Sequence, residues 1–182
     1  MKGYTLTELL IVLAIFALVA VAVSSFLLMA QRLPQEGRNI AEINQNGRII
    51  LKKTTRGLRQ AREVVTELPI ASTTATDTLE FEDGHREEPY HYIHYFKEEN
   101  EVKREVKRYY FPSNPEEFLP WTATSSKEEL TATTTEGPVA IGRYVSDLKF
   151  WGGLVVDILI SLEKEEKEVD YQTKVFGRNL PR

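Results

Sequence analysis

The chain contains no cysteine among its 182 residues, so neither a disulfide nor a cysteine-ligated metal can hold its fold together. It also lacks a glycine-rich phosphate loop, a nucleophile–base signature and a plausible cluster of metal ligands. These absences argue against the common kinds of catalytic site. We therefore expect a protein that is not an enzyme and that needs no cofactor.

Acidic residues outnumber basic ones, but the excess is unevenly placed along the chain. The formal net charge is −4. Residues 31–65 hold eight Lys/Arg against three Asp/Glu, a balance of +5, whereas residues 66–182 hold fourteen against twenty-three, a balance of −9. A short basic segment therefore precedes a long acidic one.

The most prominent feature that is present is a long apolar run, Leu9–Ala30, which only Ser24 and Ser25 interrupt. As a helix this run would be about 33 Å long, close to the roughly 30 Å of a bilayer's hydrocarbon core. A cleaved secretory signal is the alternative, because residues 20–22 (Ala-Val-Ala) resemble a small-residue cleavage site. Glu8 before the run and the apolar residues beyond that site favour a membrane-spanning helix.

The helical pattern continues beyond the apolar run. Apolar and small residues recur there at spacings of three and four, which gives one stripe that a partner surface can cover. Pro34 removes a backbone donor and is expected to kink the helix or to break it near Leu33. We predict one long helix from about Thr5 to Val65, apolar all round in its first half and amphipathic in its second. The stripe consists of Ile40, Ile43, Gly47, Ile50, Thr54, Leu58, Ala61 and Val65.

Towards the C-terminus the period changes from helical to alternating, which indicates strands. Asp83-Gly84 is a turn signal, and the polar Glu98–Glu101 separates two runs rich in aromatic and β-branched residues, as a hairpin requires. A single helix followed by strands with hairpin-length connections predicts an α+β fold with the helix packed on an antiparallel sheet. The predicted strands are 79–81, 90–97, 102–111, 139–145, 148–151, 154–162 and 169–176.

One of these strands has five apolar side chains on the same face, because residues two apart point the same way. The charged Glu163–Glu168 should form the turn to the last strand. The five residues are Leu154, Val156, Ile158, Ile160 and Leu162.

The segment between residues 112 and 136 is predicted to lack regular structure. Pro112, Pro115 and Pro120 should end the preceding strand, and the Ser/Thr/Glu-rich residues 122–136 should form a long loop. Loops of that length are uncommon unless they are functional or disordered. The segment is therefore a candidate binding loop.

The three histidines, His85, His91 and His94, could suggest a metal. His91 and His94, however, fall on opposite faces of a predicted strand and so cannot easily share one ion. We predict that they are exposed residues with a structural role.

Glu8 has a structural explanation at the start of the helix. Thr5-x-x-Glu8 is a capping-box pattern, in which each residue satisfies a backbone donor near the other. A carboxylate in the first turn also suits the helix dipole, typically by about 0.3–1 kcal/mol. These effects account for a glutamate here, but they do not account for Gly3 five residues before it.

The N-terminus, Gly3-Tyr4-Thr5-Leu6-Thr7-Glu8 followed by about twenty apolar residues, resembles that of type IV prepilins and pseudopilins. The resemblance implies that a dedicated prepilin peptidase cuts after Gly3 on the cytoplasmic side and methylates Tyr4. It also implies that Glu8 is an assembly residue, paired with the free α-amino group of Tyr4 on a neighbouring subunit. Residues 1–3 would then be a leader.

The rest of the chain resembles minor pilins of the W type and minor pseudopilins of the J type. The resemblance consists of the helix segment Gly47–Arg62 and the alternating residues of Val145–Phe150, Val155–Leu162 and Tyr171–Asn179. It implies a low-abundance subunit of a type IV pilus or a type II secretion filament that acts in initiation or at the tip.

This resemblance also implies an organisation and a location. Residues 4–30 would be the transmembrane and filament-core helix, 31–66 its amphipathic half, and 67–182 the β-sheet domain. The chain would cross the cytoplasmic (inner) membrane once with its N-terminus in the cytoplasm. It would then join other pilins or pseudopilins on an inner-membrane assembly platform, in a cell-surface or periplasmic filament.

Basic side chains on the amphipathic half raise an alternative function, a filament-tip subunit that captures DNA or a surface. Lys and Arg bind nucleic-acid phosphates through charge. The other interpretation, which we favour, is a solvated helix face or one turned towards the acidic domains of other subunits. A further alternative is an ordinary anchored β-domain protein. The candidate nucleic-acid contacts are Arg48, Lys52, Arg56, Arg59 and Arg62.

Overall fold

The computed structural model of this chain describes residues 6–84 and 90–178, with the side chains of 30–36 left out of that description. The described part contains one long helix, a 3-10 turn at Ser72–Thr74 and eight strands. Residues 1–41 and 42–182 form separate compact units. The elements are α1 (Leu6–Gln60), β1 (Thr78–Glu82), β2 (Tyr92–Glu98), β3 (Glu101–Phe111), β4 (Asn114–Leu119), β5 (Thr131–Arg143), β6 (Val145–Gly152), β7 (Val155–Lys164) and β8 (Lys167–Phe176).

Helix α1 contains the whole predicted apolar run. Its two serines bond to their own helix, Ser24 Oγ to the carbonyl oxygen of Ala20 at 2.8 Å and Ser25 Oγ to that of Val21 at 2.9 Å. Each hydroxyl is therefore satisfied without a second chain. The helix does not break at Pro34, because it continues from Leu6 to Gln60.

The predicted apolar stripe of the second half of α1 is buried. Ile43, Ile50 and Leu58 are 0% exposed, and Thr54 is 1% exposed. Side chains three and four residues apart share one helix face, so burying that face against the strands ties α1 to the domain. The prediction of an α+β fold with a helix on antiparallel strands is confirmed.

The helix ends at Gln60 rather than at the predicted Val65. The residues that follow run beside β1 instead. The amide of Arg62 donates to the carbonyl oxygen of Glu82 at 3.2 Å, and the amide of Val65 donates to that of Glu80 at 2.8 Å. Because the outer edge of a sheet carries unpaired backbone groups, this segment gains hydrogen bonds by leaving the helix.

The strands divide into two antiparallel sheets, which the sequence pattern did not indicate. In the larger sheet β1, β2, β3 and β4 follow in that order, and β5 also pairs with β3. The smaller sheet is β6-β7-β8. The β2–β3 hairpin turns between Glu98 and Glu101, which face each other, as predicted.

The segment predicted to be a long loop is partly strand. Pro115 lies within β4. Strand β5 begins at Thr131, so residues 131–136 of the predicted loop 122–136 belong to a strand. Strand β4 tolerates the proline because it meets β3 at only two register positions, Tyr109↔Leu119 and Phe111↔Asn114. The β-branched threonines of residues 131–135 pair with β3, which polar composition alone did not suggest.

The end of the chain folds largely as predicted, with shifted boundaries. The predicted strand 139–145 is interrupted at Tyr144, whose φ of 66° separates β5 from β6. The one-sided apolar pattern of β7 is confirmed, because Val156, Ile158, Ile160 and Leu162 are all 0% exposed. Leu154 precedes the strand and is 52% exposed. The turn predicted at residues 163–168 is shorter in the structure, because β7 ends at Lys164 and β8 begins at Lys167.

Gly84 provides a test of the join between the end of α1 and the end of β1. A Cβ on Gly84 would lie 1.9 Å from the carbonyl oxygen of Gln60, a backbone atom that cannot turn aside. We expect Gly84→Ala to lower the free energy of unfolding by about 1–3 kcal/mol, the usual cost of overpacking. Thermal unfolding followed by circular dichroism measures this change.

Gly153→Ala is the matched control, because an added Cβ there meets nothing within 4 Å. It should leave stability unchanged or raise it slightly. Equal effects of the two substitutions would contradict the contact at Gly84.

Candidate assembly site and basic helix face

The first candidate site lies on the apolar half of α1, within the unit of residues 1–41. Leu6–Met29 is long and apolar enough to cross a membrane, and none of it is buried. Its large apolar side chains are between 52% and 78% exposed, as Val23 and Leu6 show. In water such a surface is unfavourable, so lipid or other apolar helices must cover it.

Glu8 lies in the first turn of α1 and is exposed. It lines a surface concavity together with the apolar Leu9, Ile11 and Val12. Near the helix N-terminus the dipole favours a negative charge, which accounts for part of the choice of residue. The position therefore places a carboxylate at the start of an exposed apolar helix.

The predicted cleavage site lies outside the described residues. Gly3 and Tyr4 belong to that part, and so does Thr5 of the predicted capping box. Their roles therefore remain predictions from the sequence.

The second candidate site is the basic face of α1, within the unit of residues 42–182. Arg48, Lys52, Arg56 and Arg59 are exposed and follow one another at intervals of three and four residues. This spacing places them on one side of the helix, away from the buried stripe. The predicted basic face therefore exists as far as Arg59.

Arg62, the fifth predicted member, lies beyond the helix end. Its guanidinium Nη1 is 3.4 Å from the Glu82 carboxylate, and its side chain is 46% exposed. Since that carboxylate already neutralises part of its charge, Arg62 contributes less to an anion site than the four helical residues.

The fold adds a basic residue that the sequence analysis did not include. The amide of Arg178 donates to the carbonyl oxygen of Arg59 at 3.0 Å, which holds the C-terminal segment against the end of α1. Arg178, Arg59, Arg56 and Lys52 together line a surface concavity of about 290 Å³, with Thr55 and Gln60. The only signal for Arg178 in the sequence analysis was the Arg178-Asn179 pair near the C-terminus.

A second basic concavity, of about 380 Å³, lies on the other side of Arg56. Lys53 and Arg104 line it together with Asp83 and Tyr95. Burial raises the pKa of the Tyr95 phenol, so the hydroxyl stays neutral at physiological pH. Asp83 offsets part of the positive charge, which makes this concavity the less cationic of the two.

The histidines differ from the prediction of exposed residues. His91 is buried, at 1% exposed, and its ring contacts the Arg108 side chain. His94 Nδ1 lies 2.9 Å from the Glu105 carboxylate, which Thr134 also contacts. Within the described ranges, no group of three or more His, Asp or Glu side chains could hold a metal ion. His85 lies outside those ranges.

The family described as the prokaryotic N-terminal methylation motif matches residues 1–24 of this chain. No curated protein and no solved structure matches the chain. The motif covers residues 1–3, Glu8 and most of the apolar run, the same residues on which the predicted processing depends. It implies processing by a prepilin peptidase and assembly with other pilins, and it indicates a structural subunit. The motif supports a type IV prepilin-like N-terminus, and the apolar helix followed along the chain by antiparallel strands has the form of an α+β pilin-like fold.

Proposed function

We propose that this chain is a minor pilin or pseudopilin, closest to minor pilins of the W type or minor pseudopilins of the J type. It is processed after Gly3, methylated on Tyr4 and incorporated into a type IV pilus-like or type II secretion filament. Its place there is in initiation or at the tip. The chain acts as a structural subunit, and its role is in filament assembly.

One observation supports this proposal above the others. The methylation motif at residues 1–24 coincides with a helix whose apolar side chains are exposed from Leu6 to Met29. A membrane anchor alone needs only the apolar side chains. A carboxylate in the first turn of that helix, five residues after a glycine, has a role when the helix leaves the bilayer and packs in register against other helices.

Glu8 would supply the register. Placing a charged carboxylate at the bilayer centre costs about 2.5–3.5 kcal/mol on insertion scales, and less near the edge. Cleavage after Gly3 would create a free α-amino group on Tyr4. Pairing Glu8 with that amine on a neighbouring subunit offsets the cost and fixes the axial position of one helix against the next.

The location follows from this route. Before assembly the chain spans the cytoplasmic membrane once with its N-terminus in the cytoplasm, where the peptidase acts. An inner-membrane platform then moves it into a periplasmic or cell-surface filament. Arg32, Arg38 and Arg48 follow the span while Lys2 precedes it, so charge counting alone would weakly favour the opposite orientation. Translocation of a large domain overrides nearby charge.

Intact-mass spectrometry of the full chain, coexpressed with a prepilin peptidase, tests processing. We expect loss of Met1–Gly3 and a gain of one methyl group on Tyr4. Without the peptidase the chain should stay uncut. Cleavage near Ala22 would instead identify an ordinary secretory signal. A chain that stays uncut in both samples would favour the alternative of an ordinary anchored β-domain protein.

A second candidate function, capture of DNA, has one observation in its favour. Lys52, Arg56, Arg59 and Arg178 converge on a single concavity of about 290 Å³. Converging cations of this kind suit phosphate oxygens. Arg48 extends the basic face along the helix, whereas Arg62 is turned towards Glu82.

DNA binding has a clear salt signature. If four cations each neutralise one duplex phosphate, the logarithm of the binding constant should fall with the logarithm of salt at a slope of about −3.6. Affinity would then drop roughly a hundredfold between about 50 and 200 mM salt. Fluorescence anisotropy with a labelled duplex and the full chain in detergent measures it.

Arg56→Gln/Arg59→Gln should halve that slope, since two of the four contacts are removed. Lys127→Gln, an exposed cation distant in sequence from the concavity, is the control and should leave the slope unchanged. No binding at the lower salt concentration would remove DNA capture from consideration.

A further inference from the structure

The unit of residues 42–182 carries opposite charges on two separate surfaces. The basic patch consists of Lys52, Arg56, Arg59 and Arg178 around their concavity. The acidic patch consists of Glu163, Glu168 and Asp170 at the end of the β7–β8 hairpin, all exposed.

The acidic patch lies on the outer face of the three-stranded sheet. Glu163 and Glu168 face each other directly across the hairpin, and Asp170 follows two residues later on the same side. The opposite face holds the buried Ile160 and Leu162. Like charges placed directly opposite each other destabilise a strand pair, so this arrangement carries an electrostatic cost within the isolated chain.

The two lysines nearest the turn of the hairpin do not remove that cost, and Lys174 farther along β8 pairs with Asp157. Lys164 and Lys167 pair with each other in register, which puts them on the other face of the hairpin. The Lys164 ammonium binds the Glu42 carboxylate and lies 4.7 Å from the centre of the Tyr144 ring. That hydrogen bond lowers the pKa of Glu42. Lys164 therefore binds the hairpin to α1 through Glu42.

The basic patch carries a similar cost. Lys52, Arg56 and Arg59 lie on one helix face at spacings of four and three, where like charges repel. The bonded Arg178 amide brings a fourth cation to them. The two patches are thus a matched pair, each unfavourable within its own chain.

One chain cannot bring its own patches together. Glu42, to which the acidic hairpin is tied, precedes Arg56 and Arg59 on the same helix. Fourteen to seventeen residues of helix span roughly 21–26 Å. A second copy shifted along the helix axis by about that distance can place its acidic patch against the basic patch of the first.

We propose that two copies of this chain dock head to tail, with the acidic patch of one copy against the basic patch of the next. The inference rests on the proposed filament function for the parallel orientation of the copies. A contact of this kind uses two different surfaces and does not close on itself, so it propagates along a filament. A subunit present in few copies would then enter the filament as adjacent copies.

Charge reversal in the full chain, purified in detergent, tests the docking by sedimentation velocity. We expect wild-type self-association that weakens as salt rises from about 50 to about 500 mM, because exposed charges are screened. Arg56→Glu/Arg59→Glu should weaken association about tenfold at the lower salt, since attractive pairs become repulsive ones. Glu163→Lys/Glu168→Lys should weaken it to a similar extent.

Combining the four reversals in one chain should restore association, because both patches exchange sign. Mixing the two double variants should also restore it. The matched control, Glu116→Lys/Glu117→Lys, changes the net charge by the same amount on exposed residues of β4 and should have no effect. Circular dichroism melting confirms that each variant is folded.

Association that is unaffected by either double variant, or that the fourfold variant fails to restore, would overturn the docking. Loss of association in the β4 control would do the same, because it would reveal a general effect of net charge. Cleavage after Gly3 is measured separately by mass. Normal cleavage without salt-sensitive association would therefore count against the docking and leave the proposed function standing.

Discussion

Gly3→Val is expected to abolish processing, so that essentially all of the protein keeps Met1 and lacks the methyl group. Glycine has no Cβ, so the backbone at this position can approach another protein closely. A branched side chain would hold the scissile bond between Gly3 and Tyr4 away from the catalytic groups of the peptidase. Intact mass measures the result directly, with the cut and uncut chains differing by three residues.

Gly37→Val provides the control for Gly3→Val. Gly37 lies on α1, and a Cβ there meets nothing within 4 Å. Processing of this variant should equal that of the wild type. If Gly3→Val is still cut and methylated, the prepilin interpretation of the N-terminus is wrong.

Glu8→Ala is expected to be processed normally but to enter filaments at least about tenfold less than the wild type, the effect of losing about 1.4 kcal/mol. The carboxylate would pair with the α-amino group of Tyr4 from a neighbouring subunit in a medium of low dielectric, where a lost ion pair is costly. Removing it leaves that amine without its partner among apolar helices. Immunoblots of sheared filaments against membranes measure the incorporated fraction.

Glu8→Gln separates the charge from the helix cap. Glutamine can replace glutamate in a capping box, so α1 should start normally, yet it carries no charge to pair with the amine. We expect it to behave like Glu8→Ala. Leu13→Ala, which removes apolar area from the same exposed helix, should reduce incorporation less. Wild-type incorporation of Glu8→Gln would show that Glu8 serves only the helix start.

Local patterns predicted the features that depend on near neighbours. The membrane-length run, the buried stripe through Ile43, Ile50 and Leu58, and the β2–β3 hairpin were all evident because each repeats with the period of its own element. The early end of α1 was not evident. Val65 fits the helical period, but the open edge of β1 offers this segment hydrogen bonds that sequence spacing does not reveal.

The misassigned segment around Pro115 and Thr131 has a related cause. Proline and a high content of Ser, Thr and Glu indicate loop when no neighbour is known. Strand β3 extends to Phe111 and offers pairing partners to both β4 and β5. Segments whose own composition is ambiguous therefore form strands by pairing with this long strand.

The sequence by itself determined the N-terminal segment of this protein, up to Ala30. A glycine, a glutamate five residues later and an apolar run of bilayer length are close in the chain, so they can be recognised from the sequence, and their resemblance to prepilin N-termini predicts processing, insertion and assembly. Only the tertiary structure decided the surfaces of the unit of residues 42–182. It divided the strands into two sheets, placed Arg178 beside Arg59, and fixed the acidic hairpin to Glu42. These residues are far apart in sequence, and no local period encodes contacts that form only when the helix packs against the strands.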